Sequence, residues 1–363
     1  MLQNLLLIAY AIGTVGAFLQ IAGGYWDVSW HTLGLVETFF GPNHVLLYAG
    51  IVSILVAAFL GIVIRLSSKG ESFQKSLLTG LNIALVGVGM QVIAGPADFW
   101  WHTNFGFDPF LFTPSHTLLI AGIILNGIGM AVGNIRLLQL YGTRSSAKVL
   151  LSQKWLQLLA IIALTTLWLD LNTAVYLVLD VNGIAYTFHL GDNFVKQTTQ
   201  IAFAIGATLV SATGTLVFFI TKRVFAWRGA LTVIALLSAF VSATANLGFR
   251  AMILGAKDPG PQLLSFIPLY LSFMIPVFLF DLWIGNANAK WKTLLASGFI
   301  APFASYLDGW YAFNLWMRAN QMILILMTPM LIAGLIAGMS SIKLTNRLAS
   351  REIAMLTATS DLK

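Results

Sequence analysis

Asp27, His31 and His44, and then Asp98, His102 and His116, set the same three ligand types down twice in a chain otherwise poor in charge. The first set runs Asp27, Trp30, His31, Thr32 and Gly34, then Pro42, His44 and Gly50. The second runs Asp98, Trp101, His102, Thr103 and Gly106, then Pro114, His116 and Gly122. With Asn104 taken as an insertion, about half of the aligned positions match, and the two sets hold four of the 5 histidines. Two imidazoles and a carboxylate are a common ligand set for a divalent first-row metal that keeps positions open: zinc, non-haem iron or copper. Where the segments are helical, the Asp-x3-His spacing puts carboxylate and imidazole on one face, one turn apart. Pro42 and Pro114 suit a first helical turn, where a missing N–H costs nothing. His44 and His116 then lie in that turn as well. The helix dipole disfavours a protonated ring there, and neutral imidazole is the form that binds metal.

The elements that must carry these residues are membrane helices. Of 363 residues, 58% are hydrophobic and 9% charged, against about 25% charged in soluble proteins. Apolar runs long enough to span a bilayer recur, near 3–22, 44–64, 77–96, 115–135, 152–170, 198–220, 229–248, 262–284, 293–307 and 320–341. The expected fold is an all-α polytopic membrane protein of about ten transmembrane helices. With 0 cysteines, disulfides, thiolate metal sites and iron–sulfur clusters are excluded. No cleavable signal peptide is legible, and residues 2–22 read as a first span.

The net charge of +7 follows from topology rather than nucleic acid. With both termini cytoplasmic, only Lys196, Arg250, Lys257 and Arg318 of the 20 basic residues fall outside. Both ligand sets then face the extracytoplasmic side of a multi-pass protein of the cell membrane. Residues 1–136 read as a tandem repeat of two helical hairpins, offset by roughly 71 residues, with Gly50 and Gly122 permitting close helix approach. Residues 150–342 read as a six-helix membrane region and 343–363 as a cytoplasmic tail.

The spacing Asp-x3-His-x12-His at Asp27, His31 and His44 resembles the intramembrane metal motif in the C subunit of copper membrane monooxygenases. These are the particulate methane and ammonia monooxygenases, whose Asp, His and His come from consecutive helices. Asp98, His102 and His116 follow the pattern with x13. The resemblance is local, and the family's subunit is shorter and carries the motif once. It implies copper, and a copper-dependent oxidoreductase or an accessory subunit of one.

Other residues have plainer readings. Trp26, Trp30, Phe99, Trp100, Trp101, Phe105, Phe107 and Phe110 suit an interfacial aromatic belt, or the wall of a hydrophobic substrate site. His189 reads as a loop histidine on the motif side. Asp170, Arg250, Asp308 and Arg318 read as ion pairs near outer helix ends, and Asp281 as a side chain reaching the inner interface. The leading expectation is a membrane metalloprotein with one or two Asp-His-His sites. The alternatives are a haem-binding electron carrier using His44 and His116, a metal or small-solute permease, and a structural subunit of a membrane complex. The expected partners are the lipid bilayer and other subunits, with no nucleic acid.

Overall fold

The computed structural model describes residues 2–32, 38–68, 76–106, 112–141, 153–179, 191–225, 227–244 and 277–282, with parts of 328–347. Among these residues the secondary structure is helical, with no strand. The helices are α1 (Leu2–Thr32), α2 (Pro42–Ser67), α3 (Thr79–Phe105), α4 (Pro114–Tyr141), α5 (Gln153–Leu179), α6 (Asp192–Val224) and α7 (Ala230–Ala243). Five stretches are long and apolar enough to cross a membrane: Leu2–Asp27, Pro42–Ser67, Thr79–Phe105, Pro114–Leu140 and Gln153–Ala174. The runs expected near 262–284, 293–307 and 320–341 lie largely outside the described residues.

Helices outlast the apolar runs that predict them. Hydropathy marks where side chains tolerate lipid, whereas the i→i−4 ladder continues for as long as the backbone stays helical. α1 has 31 residues and so spans about 46 Å at 1.5 Å per residue, well beyond a hydrocarbon core of about 30 Å. Asp27 and His31 therefore ride on the last turns of α1, and Asp98 and His102 on the last turns of α3. α2 and α4 begin at Pro42 and Pro114, as their N-terminal chemistry predicts. α3 stops at Gly106, whose φ of +84° favours glycine and whose N–H donates to the carbonyl of His102.

α1 packs along α2, and α3 along α4, as two hairpins. Each is closed by facing glycines. A Cβ on Gly50 would stand 2.6 Å from the carbonyl oxygen of Gly16 and 2.6 Å from the amide nitrogen of Gln20. A Cβ on Gly122 would stand 2.6 Å from the carbonyl oxygen of Gly87. Small residues here let backbones meet, which substitutes for the hydrophobic driving force that lipid removes.

The hairpins share an apolar core with Leu7 and Ala17 of α1, Ile54 and Ala57 of α2, Leu81 and Val88 of α3, and Met130 and Leu137 of α4. α5 seals it with Leu164 and Trp168, and packs in turn on α6, whose Phe218 and Phe219 extend the core. Inside this core lies an amide cluster. Gln20 Nε2 donates to Gln91 Oε1 at 2.8 Å, and Asn126 Nδ2 donates to the same oxygen at 2.8 Å and to Gln20 Oε1 at 3.2 Å. Towards the other end of the bundle, the buried Tyr10 donates to the carbonyl of Leu77. Val52, Leu55, Val56, Phe59 and Leu66 of α2 are exposed, an apolar face suited to lipid.

Two ionisable residues have surroundings the sequence did not signal. Asp281 stands against the last turn of α6 and the start of α7, where it is buried, paired with Lys222, and accepts from the N–H and hydroxyl of Thr232 at 3.0 and 2.9 Å. A carboxylate with a cation and two donors is well enough satisfied to remain inside. Asp170 stands before the last turns of α5, which continues to Leu179. It is buried, and it forms no ion pair among the described residues. Arg250, Asp308 and Arg318 lie outside them.

Gly50→Ala is expected to destabilise the purified protein by about 1–3 kcal/mol, since both helices must shift to admit the methyl. Gly89→Ala has open space around it and is expected to leave the melting temperature in detergent unchanged. Equal melting temperatures for the two variants would contradict the close approach.

Candidate metal centre

Three side chains from the α3–α4 hairpin converge. Asp98 and His102 stand one turn apart near the end of α3, and His116 enters from the first turn of α4. His102 Nε2 lies 3.5 Å from Asp98 Oδ2, and His116 Nε2 lies 3.4 Å from Asp98 Oδ1. One ligand atom from each of the three falls within 4.8 Å of the others. The two imidazole–carboxylate separations are long for hydrogen bonds. Each imidazole faces a different oxygen of Asp98, a spacing that leaves room for an ion among the three side chains.

The far side of each ring is held. His102 Nδ1 is 3.1 Å from the carbonyl oxygen of Gly106, and His116 Nδ1 is 2.9 Å from the hydroxyl of Thr113. A carbonyl oxygen can only accept, so Nδ1 of His102 donates to Gly106 and Nε2 points towards Asp98. The Ser115 hydroxyl donates to Asp98 Oδ1 at 2.8 Å and fixes the carboxylate. Ring nitrogens anchored away from a shared point, with the carboxylate anchored too, are what orient ligands around an ion. His116 is buried, whereas Asp98 and His102 are half-buried.

The α1–α2 hairpin repeats part of this arrangement. His44 Nε2 lies 3.2 Å from Asp27 Oδ1, and its Nδ1 lies 2.8 Å from the carbonyl oxygen of Thr38. Asn43 donates to Asp27 Oδ1 from the position before the histidine, the same place Ser115 holds before His116. His44 also stacks on Tyr48, with ring centroids 5.8 Å apart. The backbone of His31 belongs to α1, and its side chain lies outside the described residues.

Both hairpins open on one cavity of about 230 Å³. Asp27 and His44 line it from one side, and Asp98, His102 and His116 from the other. The rest of the wall is mainly apolar, with Phe39, Leu47, Tyr48, Phe99 and Leu119. Phe39 and Phe99 touch edge to face at 5.2 Å and join the two hairpins across the mouth. The cavity gathers two carboxylates and three imidazoles beside an apolar chamber, which suits a cation with a small apolar molecule next to it.

The expected aromatics divide. Phe99 lines the cavity while staying half exposed; Trp100 and Phe105 are exposed and pack edge to face on one another. Trp26 and Trp30 meet at 6.4 Å on α1. Phe107, Phe110 and His189 lie outside the described residues. Phe39, Tyr48, Asn43 and Ser115 were not signalled by ligand chemistry. Asn43 and Ser115 were nonetheless readable, because each fills the single position between the proline and the histidine. Compared with models of known protein families, with curated proteins and with solved structures, the chain matches none.

Ser115→Ala removes the donor that fixes Asp98 and leaves all three ligand atoms in place. A metal held here is expected to bind about 10-fold to 100-fold more weakly in this variant, read by competition with a chelator. Unchanged affinity would show that Asp98 needs no such support.

Proposed function

We propose that this chain is an integral membrane metalloprotein in which Asp98, His102 and His116 hold a divalent first-row ion at the extracytoplasmic side. The observation that carries the reading is the convergence of the three ligand atoms within 4.8 Å, with both rings tethered through Nδ1. Copper is the proposed ion, with iron and zinc as the other results elemental analysis can return. Imidazole nitrogen serves all three, copper(II) stands highest among them in general affinity, and no thiolate competes. The local resemblance to the copper membrane monooxygenases favours the same ion. Asp27 and His44, with His31 on the same helix, form the companion half, so the shared cavity suits a two-ion or a combined site. The proposed activity is that of a copper-dependent oxidoreductase, or of an accessory subunit to one. Haem fits less well, because His44 and His116 each turn Nε2 towards a different carboxylate.

Around this site we read ten spans, both termini cytoplasmic, and a duplicated pair of hairpins followed by a six-helix region. A second reading, a metal or small-solute permease, draws on one observation. Gln20, Gln91, Asn126 and Asp170 put polar groups inside the spanning bundle, where transporter sites commonly lie.

Elemental analysis of protein purified from metal-supplemented cells is expected to find about one ion or more per chain, and about a tenth of that or less in a His102→Ala/His116→Ala double variant. A metal-free wild type, or equal metal in the variant, sinks the metal reading. Metal-dependent uptake into proteoliposomes would favour the permease over the oxidoreductase. The absence of native cysteine makes topology equally direct. A cysteine at the exposed Phe40 is expected to react with an impermeant maleimide from outside intact cells. One at Ser67 is expected to react only after permeabilisation, and the reverse pattern would invert the orientation.

A further inference from the structure

Asp170 is buried in α5 at 1% exposure, and neither carboxyl oxygen has a hydrogen-bond partner among the described residues. It presses on Gly127, which stands halfway along the 28 residues of α4. A Cβ on Gly127 would lie 1.8 Å from Asp170 Oδ2, so only glycine lets the carboxyl reach the α4 backbone. Gly127 and Asp170 both lie within stretches long and apolar enough to cross a membrane, and a bare carboxylate buried there is disfavoured.

The helices packed against α5 offer no described cation to neutralise it. Arg136 of α4 donates to the carbonyl of Ser76, and Lys222 of α6 is paired with Asp281. Tyr10 of α1 donates to Leu77, and Tyr25 of α1 packs in the small apolar cluster that includes Leu169. The other titratable residues of these helices stand towards their ends: Asp27 and His31 on α1, His116 and Tyr141 on α4, and Asp192, Lys196 and Arg223 on α6. α7 carries none. A protonated, neutral acid is the form this environment accepts.

A cluster of buried amides stands at the same level of α4. Asn126, beside Gly127, donates to both Gln20 and Gln91, while Asn126 Oδ1 and Gln91 Nε2 have no partner among the described residues. The acceptor and donor left over in the amide cluster, and the two carboxyl oxygens of Asp170, are groups that bound water satisfies. Gln91 lies two turns, about 10 Å, below Asp98 on the same face of α3, and Gln20 stands in the same relation to Asp27 on α1. Both aspartates line the outer cavity.

We propose that Asp170 is an intramembrane proton-binding site that exchanges its proton with the outer cavity through water held by Asn126, Gln91 and Gln20. In the step, the O–H bond of the acid breaks and the proton passes to adjacent water. It emerges in the cavity as a hydrated proton and leaves a carboxylate that is reprotonated by the same path. No electron moves, and the site does not depend on an ion being bound at Asp98.

Infrared difference spectroscopy on the purified full chain tests both parts. Wild type at neutral pH is expected to show the carbonyl stretch of a protonated carboxylic acid, moving to lower frequency in deuterium oxide. Asp170→Asn should abolish that band while metal content and helical circular dichroism stay as in wild type. In Gln91→Leu the band should persist, with its deuterium shift slowed on the order of tenfold, the rate effect of losing about one hydrogen bond from the route. A wild type without the band, or a band unchanged in Asp170→Asn, overturns the site. Wild-type exchange in Gln91→Leu overturns the route. Because the band is read first in unmodified protein, a variant that fails to fold does not rescue the proposal.

Discussion

The hydrogen bond from Gln20 to Gln91 is the constraint on which the arrangement of this protein turns. It ties α1 to α3 at a level two helical turns below Asp27 and Asp98, and Asn126 locks it from α4. A neutral amide pair gains little in net terms when water can compete. Buried where water is scarce, it is costly to break, since either amide alone would keep an unsatisfied group. Together with the bonds from Asn134 to Thr14 and from Tyr10 to Leu77 further along, it fixes the distance and rotation between the two hairpins. With that pivot set, the upper turns of α1 and α3 bring their aspartates to one cavity, and the facing glycines hold α2 and α4 close enough to add their histidines.

Much of this was legible because membrane sequences separate their signals. Apolar runs gave the existence of α1 to α5, and prolines gave the starts of α2 and α4. Gly50 and Gly122 gave the close packing of each hairpin. The ends of helices were less legible, since hydropathy falls at the lipid boundary while the backbone ladder runs on. That single effect moved Asp27 and Asp98 from segments after helices onto the helices themselves. It also left further helical turns beyond Asp170, which is buried in the bundle. The pairing of Asp281 was not legible for a different reason: its partner Lys222 is 59 residues away in sequence, and no local pattern announces such a pair.

The support around the ligands shows what residue-type searches miss. Thr113, Ser115 and Gly106 are not ligand types, yet they anchor Nδ1 of each ring and one oxygen of Asp98. Their sequence signal is positional. Asn43 and Ser115 differ in type and match in place, as do the identical Gln20 and Gln91, which stand 71 residues apart. Reading the register outward from the histidines would have found all four.

Gly106 both ends α3 and turns its carbonyl back to His102, so the stop of a helix and the aim of a ligand are one conformational event. That event needs a residue that accepts φ of +84° four places after the histidine. Four places after His31 the chain has Leu35, and its glycine falls one residue earlier. The single inserted residue that separates the two sets thus falls inside the turn that aims the ring. In this respect the two sets are not interchangeable, since only the second carries a glycine at that place.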